Sequence, residues 1–351
     1  MEVAVIAGDG IGNEVVSAAR RVLDATAIDI DFVERPMGKD AIETYGTPLP
    51  DETVTTVRDI GYALKGPVET PIGSGFRSVN VELRKRLGLY ANIRPCRYMD
   101  GVASRIDDPS DIDIVVVREN LEDLYSGIEF EKDSDDATEL SSFLETNGFE
   151  LPVKPGYSIK PISEAGSERL IRRAFEYAVE HGRKKVTVVD KANIMKHTDG
   201  LFMDVGERVA AEYDIAYEHL LVDNVAQQLV LRPEEFDVIA TQNIYGDILS
   251  DLAGGLVGGI GMIPSANLGD ETGVFASVHG TAPDIAGEGV GNPAAVILSG
   301  AMLLDHAGYE DEASRVRKAV RTVVSDGNAV TPDLGGDGST ETMTDAIIDE
   351  L

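Results

Sequence analysis

Asp247 and Asp251 lie four residues apart in the segment Asn243–Asp251, a spacing that places both carboxylates on one face of a helix, about one turn apart. Paired carboxylates repel each other unless a positive charge lies between them, and oxygen ligands suit a hard cation such as Mg²⁺ or Mn²⁺. In so acidic a chain, the pair alone would favour a solvated acidic helix face. The glycine-rich segment 254–261 follows directly, and glycine disfavours helix interiors without a steric reason. The flanks therefore favour a metal site.

A group of polar and guanidinium side chains is suited to binding a di- or tricarboxylic acid. Ser78, Asn80 and Arg84 have helix-like spacing after a glycine-containing loop. Arg94 lies on the next extended segment, and Arg118 ends a strand-like apolar run. Arginine can donate two parallel hydrogen bonds to one carboxylate. Surface arginines are common, so this group leaves the alternative of an ordinary charged surface open.

Two further residues could move protons. Lys191 comes directly after the apolar run 186–189, and a lysine past a buried strand can titrate near neutrality and act as an acid or base. Tyr125 could relay a proton beside it. For Lys191 alone, the preferred interpretation would be a lysine whose stem lies on the strand end while its ammonium group reaches water.

Of two glycine-containing loops, one suggests binding of a larger ligand. Gly8-Asp-Gly-Ile-Gly12 follows the first strand. Its spacing is not the GxGxxG of a Rossmann fingerprint, and no acidic residue ends a well-placed second strand. A tight strand-to-helix turn is therefore the better interpretation of this segment. His279–Gly287 combines His-Gly with Pro and Asp, which is typical of a binding loop. Its ligand cannot be identified from spacing.

Strand-like apolar runs alternate with amphipathic helical patterns along the chain. The first run, 3–6, precedes a predicted helix over 13–27 and a predicted strand over 28–32. This alternation predicts an α/β protein with a substantially parallel sheet. Residues 130–157 interrupt it with an acidic, proline-containing stretch, which we interpret as an inserted arm for subunit contact or as an exposed loop.

The net charge of −31, from 62 acidic and 31 basic residues, argues against nucleic acid or an anionic membrane as a partner. It favours a protein adapted to high salt, where charge repulsion is screened. The single cysteine, Cys96, excludes an intrachain disulfide and is expected to be a small buried hydrophobe. Because no signal peptide or transmembrane run is visible, we expect a cytoplasmic protein.

Taken in order, these segments resemble the β-decarboxylating dehydrogenases, which comprise isocitrate, 3-isopropylmalate and homoisocitrate dehydrogenases. The resemblance covers nearly the whole chain, and Asn243–Gly261 and His279–Gly287 are its most specific motifs. It implies the isopropylmalate dehydrogenase-like fold, a two-domain α/β architecture with a mostly parallel sheet that is not a Rossmann fold. The implied domains are a discontinuous large coenzyme-binding domain, 1–89 with 258–351, and a small substrate, metal and dimer domain, 90–257, with a clasp-like insertion at about 130–160.

Within this family, Ser78-Val-Asn80 resembles the isocitrate-binding Ser-x-Asn, whereas isopropylmalate enzymes usually place apolar residues there. Polar groups left unpaired by an apolar substituent give strong discrimination. The resemblance therefore implies oxidative decarboxylation of isocitrate to 2-oxoglutarate and CO₂, with 3-isopropylmalate or homoisocitrate as the alternative substrate. A non-catalytic regulatory subunit is a further alternative, but such subunits tend to lose residues of the catalytic and metal sites.

The resemblance also implies a role for each matching residue. The substrate carboxylates are held by Ser78, Asn80, Arg84, Arg94 and Arg118, the proton carriers are Tyr125 and Lys191, and the metal ligands for Mg²⁺ or Mn²⁺ are Asp223, Asp247 and Asp251. The coenzyme contacts are Thr70, His279, Gly280, Asp284, Ile285 and Asn292. Lys191 and Asp223 complete the partner subunit's site, so the implied unit is a homodimer with shared active sites, or a tetramer of such dimers.

The coenzyme is expected to be NAD. An acidic residue at position 284 can accept hydrogen bonds from the adenosine ribose and would repel a 2′-phosphate. NADP-dependent relatives carry Lys-Tyr where this chain has Asp284-Ile285, and a Tyr where it has Pro332. One departure concerns the nicotinamide end, because Ala276 stands where the family usually has a glutamate before the His-Gly motif.

Overall fold

The computed structural model describes residues 1–70 and 78–351. The glycine-containing loop between Thr70 and Ser78, at residues 71–77, lies outside the described residues. No helix in the part of the chain that the structure describes is long and apolar enough to cross a membrane.

The described residues form one ten-stranded sheet, in the order β2-β1-β3-β12-β11-β4-β5-β10-β8-β9. The central pairings β12–β11, β11–β4 and β4–β5 are antiparallel, and the pairings on either side of them are parallel. This confirms the predicted α/β class with a mostly parallel sheet. The strands are β1 (Glu2–Ile6), β2 (Asp31–Glu34), β3 (Tyr62–Lys65), β4 (Ala91–Arg97), β5 (Asp113–Glu119), β8 (Lys185–Asp190), β9 (Ala216–Leu221), β10 (Val238–Thr241), β11 (Pro264–Leu268) and β12 (Gly273–Ser277).

Helices cover both faces of this sheet and bury their apolar stripes against it. In α1, the residues Val15, Ala19 and Val22 recur at helical spacing and are fully buried. The helices are α1 (Gly12–Asp24), α2 (Lys39–Tyr45), α3 (Asp51–Ile60), α4 (Val79–Leu87), α5 (Asp135–Thr146), α6 (Glu164–Glu180), α7 (Asp199–Ala210), α8 (Val222–Leu231), α9 (Asn243–Leu256), α10 (Ala294–His306), α11 (Glu310–Asp326) and α12 (Thr340–Asp349).

The strand order separates two parts of the chain. Strands β1–β3, β11 and β12 come from the predicted large domain, whereas β4, β5 and β8–β10 come from the predicted small domain. The two sets meet at the β11–β4 pairing, where Ala266 lies opposite Ile93, so the sheet is continuous between them. The domain boundaries themselves stay a prediction.

The insertion is an ordered arm. Strand β6 (Glu129–Phe130) pairs antiparallel with β7 (Tyr157–Ser158), and helix α5 lies between them in the chain. The Ser134 side chain accepts a hydrogen bond from the Ala137 N–H and so caps α5. Phe143 and Phe149 are more than half exposed. Its role in subunit contact stays a prediction.

Two element boundaries differ from the sequence prediction. Helix α1 ends at Asp24, before the predicted end at 27, because the Thr26 hydroxyl donates to the carbonyl of Leu23 at 2.6 Å. The predicted strand over 28–32 begins only at Asp31, which pairs with Glu2 at the start of β1. A strand needs a neighbouring strand for its hydrogen bonds. The residues before Asp31 extend past Glu2, where β1 begins, so β1 offers them no strand to pair with.

Candidate active site

Helix α9 carries two of the three predicted metal ligands, Asp247 and Asp251, and presents them to two buried arginines. Asp247 accepts hydrogen bonds from the Arg118 guanidinium and the Tyr125 hydroxyl. The Arg94 guanidinium lies 3.4 Å from Asp247 Oδ1 and 3.5 Å from Asp251 Oδ1. The helix therefore places both carboxylates on the face predicted from their spacing.

The charges of this cluster affect each other's protonation. Burial favours the protonated form of Asp247, but the Arg118 and Arg94 guanidiniums outweigh it and lower the pKa. Burial raises the pKa of Asp251, opposed by Arg94 and reinforced by Asp247. Burial and the neighbouring arginines lower the pKa of Arg84 to about 9 and that of Arg94 to about 10, so both are cationic at neutral pH.

The arginines are held by polar residues that sequence reasoning did not identify. The Arg94 side chain donates to Asn92 Oδ1 at 2.5 Å and to Ser250 Oγ at 2.7 Å. Asn92 in turn donates to Asn267 Oδ1 at 2.8 Å. All of these side chains are buried. Buried amides within apolar strands were the available signal, because such groups require a partner.

A cavity of about 170 Å³ lies beside this cluster. Asn80, Arg84 and Arg94 line one part of it, and His279 with Gly280 line another, so predicted substrate and coenzyme residues share one cavity. Asn80 Oδ1 and His279 Nε2 are buried and have no hydrogen-bond partner among the described residues. Asn80 Oδ1 is suited to accepting a hydrogen bond from a ligand, and His279 Nε2 can accept or donate one according to its tautomer.

Lys65 also lines the cavity and was missed by sequence reasoning. It ends β3, directly beside Ala276 of β12 in the parallel pairing. Its ammonium group donates to the carbonyl of Gly66 at 2.6 Å, and its side chain is buried. Burial, together with Arg84, lowers the pKa of Lys65 to about 7. A third cationic side chain therefore faces the same cavity.

Lys191 and Asp223 lie apart from this cluster and form an ion pair with each other. Lys191 follows β8, and Asp223 lies in the first turn of α8. Across residues 1–70 and 78–351, no three His, Cys, Asp or Glu side chains come together to hold a metal ion. Among the described residues, Tyr125 contacts Asp247 whereas Lys191 contacts Asp223, and the three predicted metal ligands do not come together in one chain. Sharing of the site between subunits stays a prediction.

The predicted turn Gly8–Gly12 lies beside the predicted binding loop His279–Gly287. The Ile11 N–H donates to the Thr281 carbonyl at 2.9 Å, and a Cβ on Gly10, which has a φ of +60°, would lie 2.0 Å from that oxygen. Gly8–Gly12 is therefore a tight turn between β1 and α1, as predicted, that supports the His279–Gly287 loop. Glu14 of α1 accepts a hydrogen bond from the Gly287 N–H at 2.6 Å.

The other predicted coenzyme residues have different exposures. Asp284 is exposed, whereas Ile285 packs partly buried against the core. Asn292 is buried, and its amide donates to Asp333 Oδ2 at 2.9 Å. The Thr70 hydroxyl lies 3.3 Å from that of Ser78.

Cys96 is fully buried, as expected, and burial raises the pKa of its thiol to about 12.

Comparison with known proteins shows similarity over the whole chain. The family profile for isocitrate/isopropylmalate dehydrogenase matches residues 2–348. An NADP-linked isocitrate dehydrogenase of Archaeoglobus fulgidus is 42% identical over 98% of this chain and 91% of its own length. An isocitrate/homoisocitrate dehydrogenase of Thermus thermophilus is 44% identical over 99% of this chain and 98% of its own. The crystal structure of isocitrate dehydrogenase from Methylococcus capsulatus matches with a TM-score of 0.90 at 44% identity, covering 99% of this chain and 98% of that one.

Proposed function

This chain belongs to the isocitrate/isopropylmalate dehydrogenase family, and from that premise we propose that it oxidises and decarboxylates isocitrate to 2-oxoglutarate and CO₂ with NAD and a divalent metal. The observation that carries the proposal is the cavity where Asn80, Arg84 and Arg94 converge beside Asp247. Its cations match a ligand with several carboxylates.

The polar atoms of α4 support isocitrate over an isopropyl-bearing acid. Asn80 Oδ1 is buried without a hydrogen-bond partner among the described residues, and Ser78 stands at the N-terminal end of the same helix. An apolar substituent would leave the buried Asn80 oxygen unpaired, which costs about 1–3 kcal/mol. Homoisocitrate keeps the carboxylate at the end of a longer chain, so it remains the alternative.

The residues of α9 fit a divalent cation. Asp247 and Asp251 supply carboxylate oxygens, and the Asp251 side chain is 57% exposed. With Asp223 of the partner's chain they would hold Mg²⁺ or Mn²⁺. When bound, such an ion withdraws electrons from the oxygens that it binds. The arginines would meanwhile bind the substrate carboxylates, with Arg118 exchanging Asp247 for a substrate oxygen.

The proton steps fit Tyr125 and Lys191. Burial raises the pKa of Tyr125, with Arg118 opposing and Asp247 reinforcing the shift, so its hydroxyl remains protonated at neutral pH. Tyr125 is therefore suited to delivering a proton to the enol carbon after CO₂ leaves. Lys191, from the partner subunit, would take the proton of the 2-hydroxyl group as hydride passes to the coenzyme.

The choice of NAD rests on Asp284 and Ile285. The exposed carboxylate would repel the 2′-phosphate of NADP and can accept from a ribose hydroxyl. The Archaeoglobus fulgidus relative is an NADP-linked enzyme, so its coenzyme differs from the one that Asp284 favours. The Asp284 carboxylate would act directly on the 2′-phosphate that distinguishes NADP from NAD, which favours NAD for this chain.

The proposal is tested by assaying the purified protein with isocitrate, homoisocitrate and 3-isopropylmalate, each with NAD or NADP and with Mg²⁺ or Mn²⁺. We expect the highest kcat/KM with isocitrate and NAD, and no turnover after chelation of the metal. Activity with 3-isopropylmalate alone would overturn the argument from Ser78 and Asn80. A protein inactive with every substrate would favour a regulatory subunit.

A further inference from the structure

A buried carboxylate outside the cavity, Asp199, joins the turn of Lys191 to helix α9. Asp199 is the first residue of α7 and is fully buried. Its Oδ2 accepts from the Lys191 backbone N–H at 2.8 Å and from the Tyr245 hydroxyl at 3.1 Å. Its Oδ1 accepts from the Lys160 ammonium group at 2.6 Å and from the Thr198 hydroxyl at 3.1 Å. One side chain thus contacts three separate segments of the chain.

Lys160 balances the charge of Asp199. Its ammonium group also donates to Gln242 Oε1 at 2.5 Å and lies 4.5 Å from the centre of the Tyr245 ring. Lys160 comes from the segment that follows the inserted arm, and Gln242 and Tyr245 lie at the start of α9. Removing one partner of such a pair would leave an uncompensated buried charge, whereas replacing both by apolar groups is often tolerated.

The contacts of Asp199 fix the turn 191–199 at two points. Its side chain holds the N–H of Lys191, while its own N–H donates to the Met195 carbonyl at 3.1 Å. The Met195 N–H returns to the Lys191 carbonyl at 3.0 Å. The backbone that carries Lys191 is therefore restrained on both sides, although the Lys191 side chain itself reaches only Asp223 among the described side chains.

We propose that Asp199 is a positioning residue for Lys191 and that, through Lys160 and Tyr245, it fixes the turn of Lys191 relative to the helix of Asp247. In the dimer proposed above, Lys191 serves the partner's site and Asp247 serves its own. The Asp199 contacts would thus set the geometry between two active sites. This inference rests on the proposed function for its catalytic consequence.

Two nearly isosteric double variants test it, Lys160→Met with Asp199→Asn and Lys160→Met with Asp199→Leu. Both remove the buried ion pair, but only the Asn variant keeps an acceptor for the Lys191 N–H. The Asn variant is the reference, because Lys160→Met alone would leave the Asp199 carboxylate buried and uncompensated. The Leu variant should lose about 10–100-fold in kcat, with the KM for isocitrate changed less than about threefold. A lysine that acts after substrate has bound affects turnover more than binding.

Hydrogen exchange supplies a readout independent of activity. The amide of Lys191 should exchange at least about tenfold faster in the Leu variant than in the Asn variant. Equal kcat and equal exchange in the two variants would overturn the proposal. If the Leu variant does not fold, Tyr245→Phe removes one donor to Asp199, and an unchanged Lys191 exchange rate would overturn it as well. Wild-type protein inactive with isocitrate would refute the proposed function, yet the exchange comparison would still decide the role of Asp199.

Discussion

Gly246 lies against the Arg118 side chain, and a Cβ atom at Gly246 would stand 2.6 Å from Cγ of that arginine. Arg118 reaches Asn243 and Asp247 by passing across this glycine. Glycine is disfavoured within a helix, so its place one residue before Asp247 has a steric reason. The helix surface is open where Arg118, the proposed substrate-binding arginine, lies across it.

Gly246→Ala should therefore displace Arg118 and weaken substrate binding. Loss of a charge-assisted contact of about 1.5–3 kcal/mol corresponds to an increase of roughly 10–100-fold in the Kd for isocitrate. The control is Gly255→Ala in the same helix, where an added Cβ meets nothing within 4 Å. That variant should raise stability by about 0.5–1 kcal/mol without changing the Kd. Calorimetric titration and thermal unfolding of both variants measure the two effects, and equal affinities would refute the steric argument.

The sequence predicted those parts of the site whose signal lies in local spacing. Asp247 with Asp251, and Asn80 with Arg84, are four residues apart, and each pair lies on one helix as predicted. The class of fold followed from alternating patterns, since period and element type are local properties. Contacts between the helices and strands could not be predicted in this way.

The sequence did not reveal residues whose role depends on partners far away along the chain. Lys65 is a strand residue by pattern, and only its position beside Ala276 and Arg84 shows a cation in the cavity. Asn92 and Asn267 meet across 175 residues of sequence to hold Arg94. The glycines of segment 254–261 also differ in how much space surrounds them. A Cβ on Gly258 would lie 1.9 Å from Cγ1 of Val102, whereas a Cβ on Gly255 would meet no heavy atom of the described residues within 4 Å.

The protonation of Lys65 should make substrate binding dependent on pH. Its pKa, lowered to about 7 by burial, means that the side chain is cationic below that pH and neutral above it. We expect kcat/KM for isocitrate to fall as the pH rises through about 7, since the cavity then loses one positive charge. Lys65→Met should lower kcat/KM below pH 7 and remove this inflection.

Ala276→Glu provides the complementary test from the residue that is paired with Lys65 on the neighbouring strand β12. A carboxylate beside Lys65 would stabilise the ammonium form and raise its pKa. The inflection in kcat/KM should therefore move to higher pH. Ala276→Gln, which has the same size without the charge, is the control. An inflection at the same pH in the Glu and Gln variants would show that Lys65 is not the titrating group.

The coenzyme preference should change with Asp284 and Ile285. Asp284→Lys combined with Ile285→Tyr replaces a repulsive carboxylate by a cation that can bind the 2′-phosphate, so the ratio of kcat/KM for NADP to that for NAD should rise by at least about 10-fold. Asp284→Asn alone, which removes only the repulsion, should give a smaller rise. An unchanged ratio in the double variant would contradict the assignment of NAD specificity to this loop.

The charge of −31 should make stability dependent on salt. Screening acts over roughly 10 Å at 0.1 M salt and about 3 Å at 1 M, so repulsion among the carboxylates falls steeply across this range. We expect the Tm to rise between about 0.1 and 2 M KCl, with little effect of an uncharged osmolyte at equal osmolality. A Tm that is already maximal at low salt would refute adaptation to high salt.

Mixed dimers can decide whether the active sites are shared. Lys191 pairs with Asp223, away from Asp251. If each subunit completes its partner's active site, Lys191→Met damages the partner's site, whereas Asp251→Asn damages the subunit's own site. Each variant alone should be inactive. In a mixed dimer, one site would receive both substitutions and the other neither. Random reassociation of equal amounts should thus restore about a quarter of wild-type activity, because about half of the dimers are mixed and each has one intact site.

The control for that experiment mixes two variants that damage the same kind of contribution, Lys191→Met and Asp223→Asn. Both residues would serve the partner's site, so each site of a mixed dimer carries one substitution and activity should not return. Recovery in this control, or its absence in the first mixture with exchange of subunits confirmed by mass spectrometry, would contradict shared sites. The ion pair of Lys191 and Asp223 within one chain would then have to be interpreted as a surface contact and not as the portion of the site that each subunit supplies to its partner.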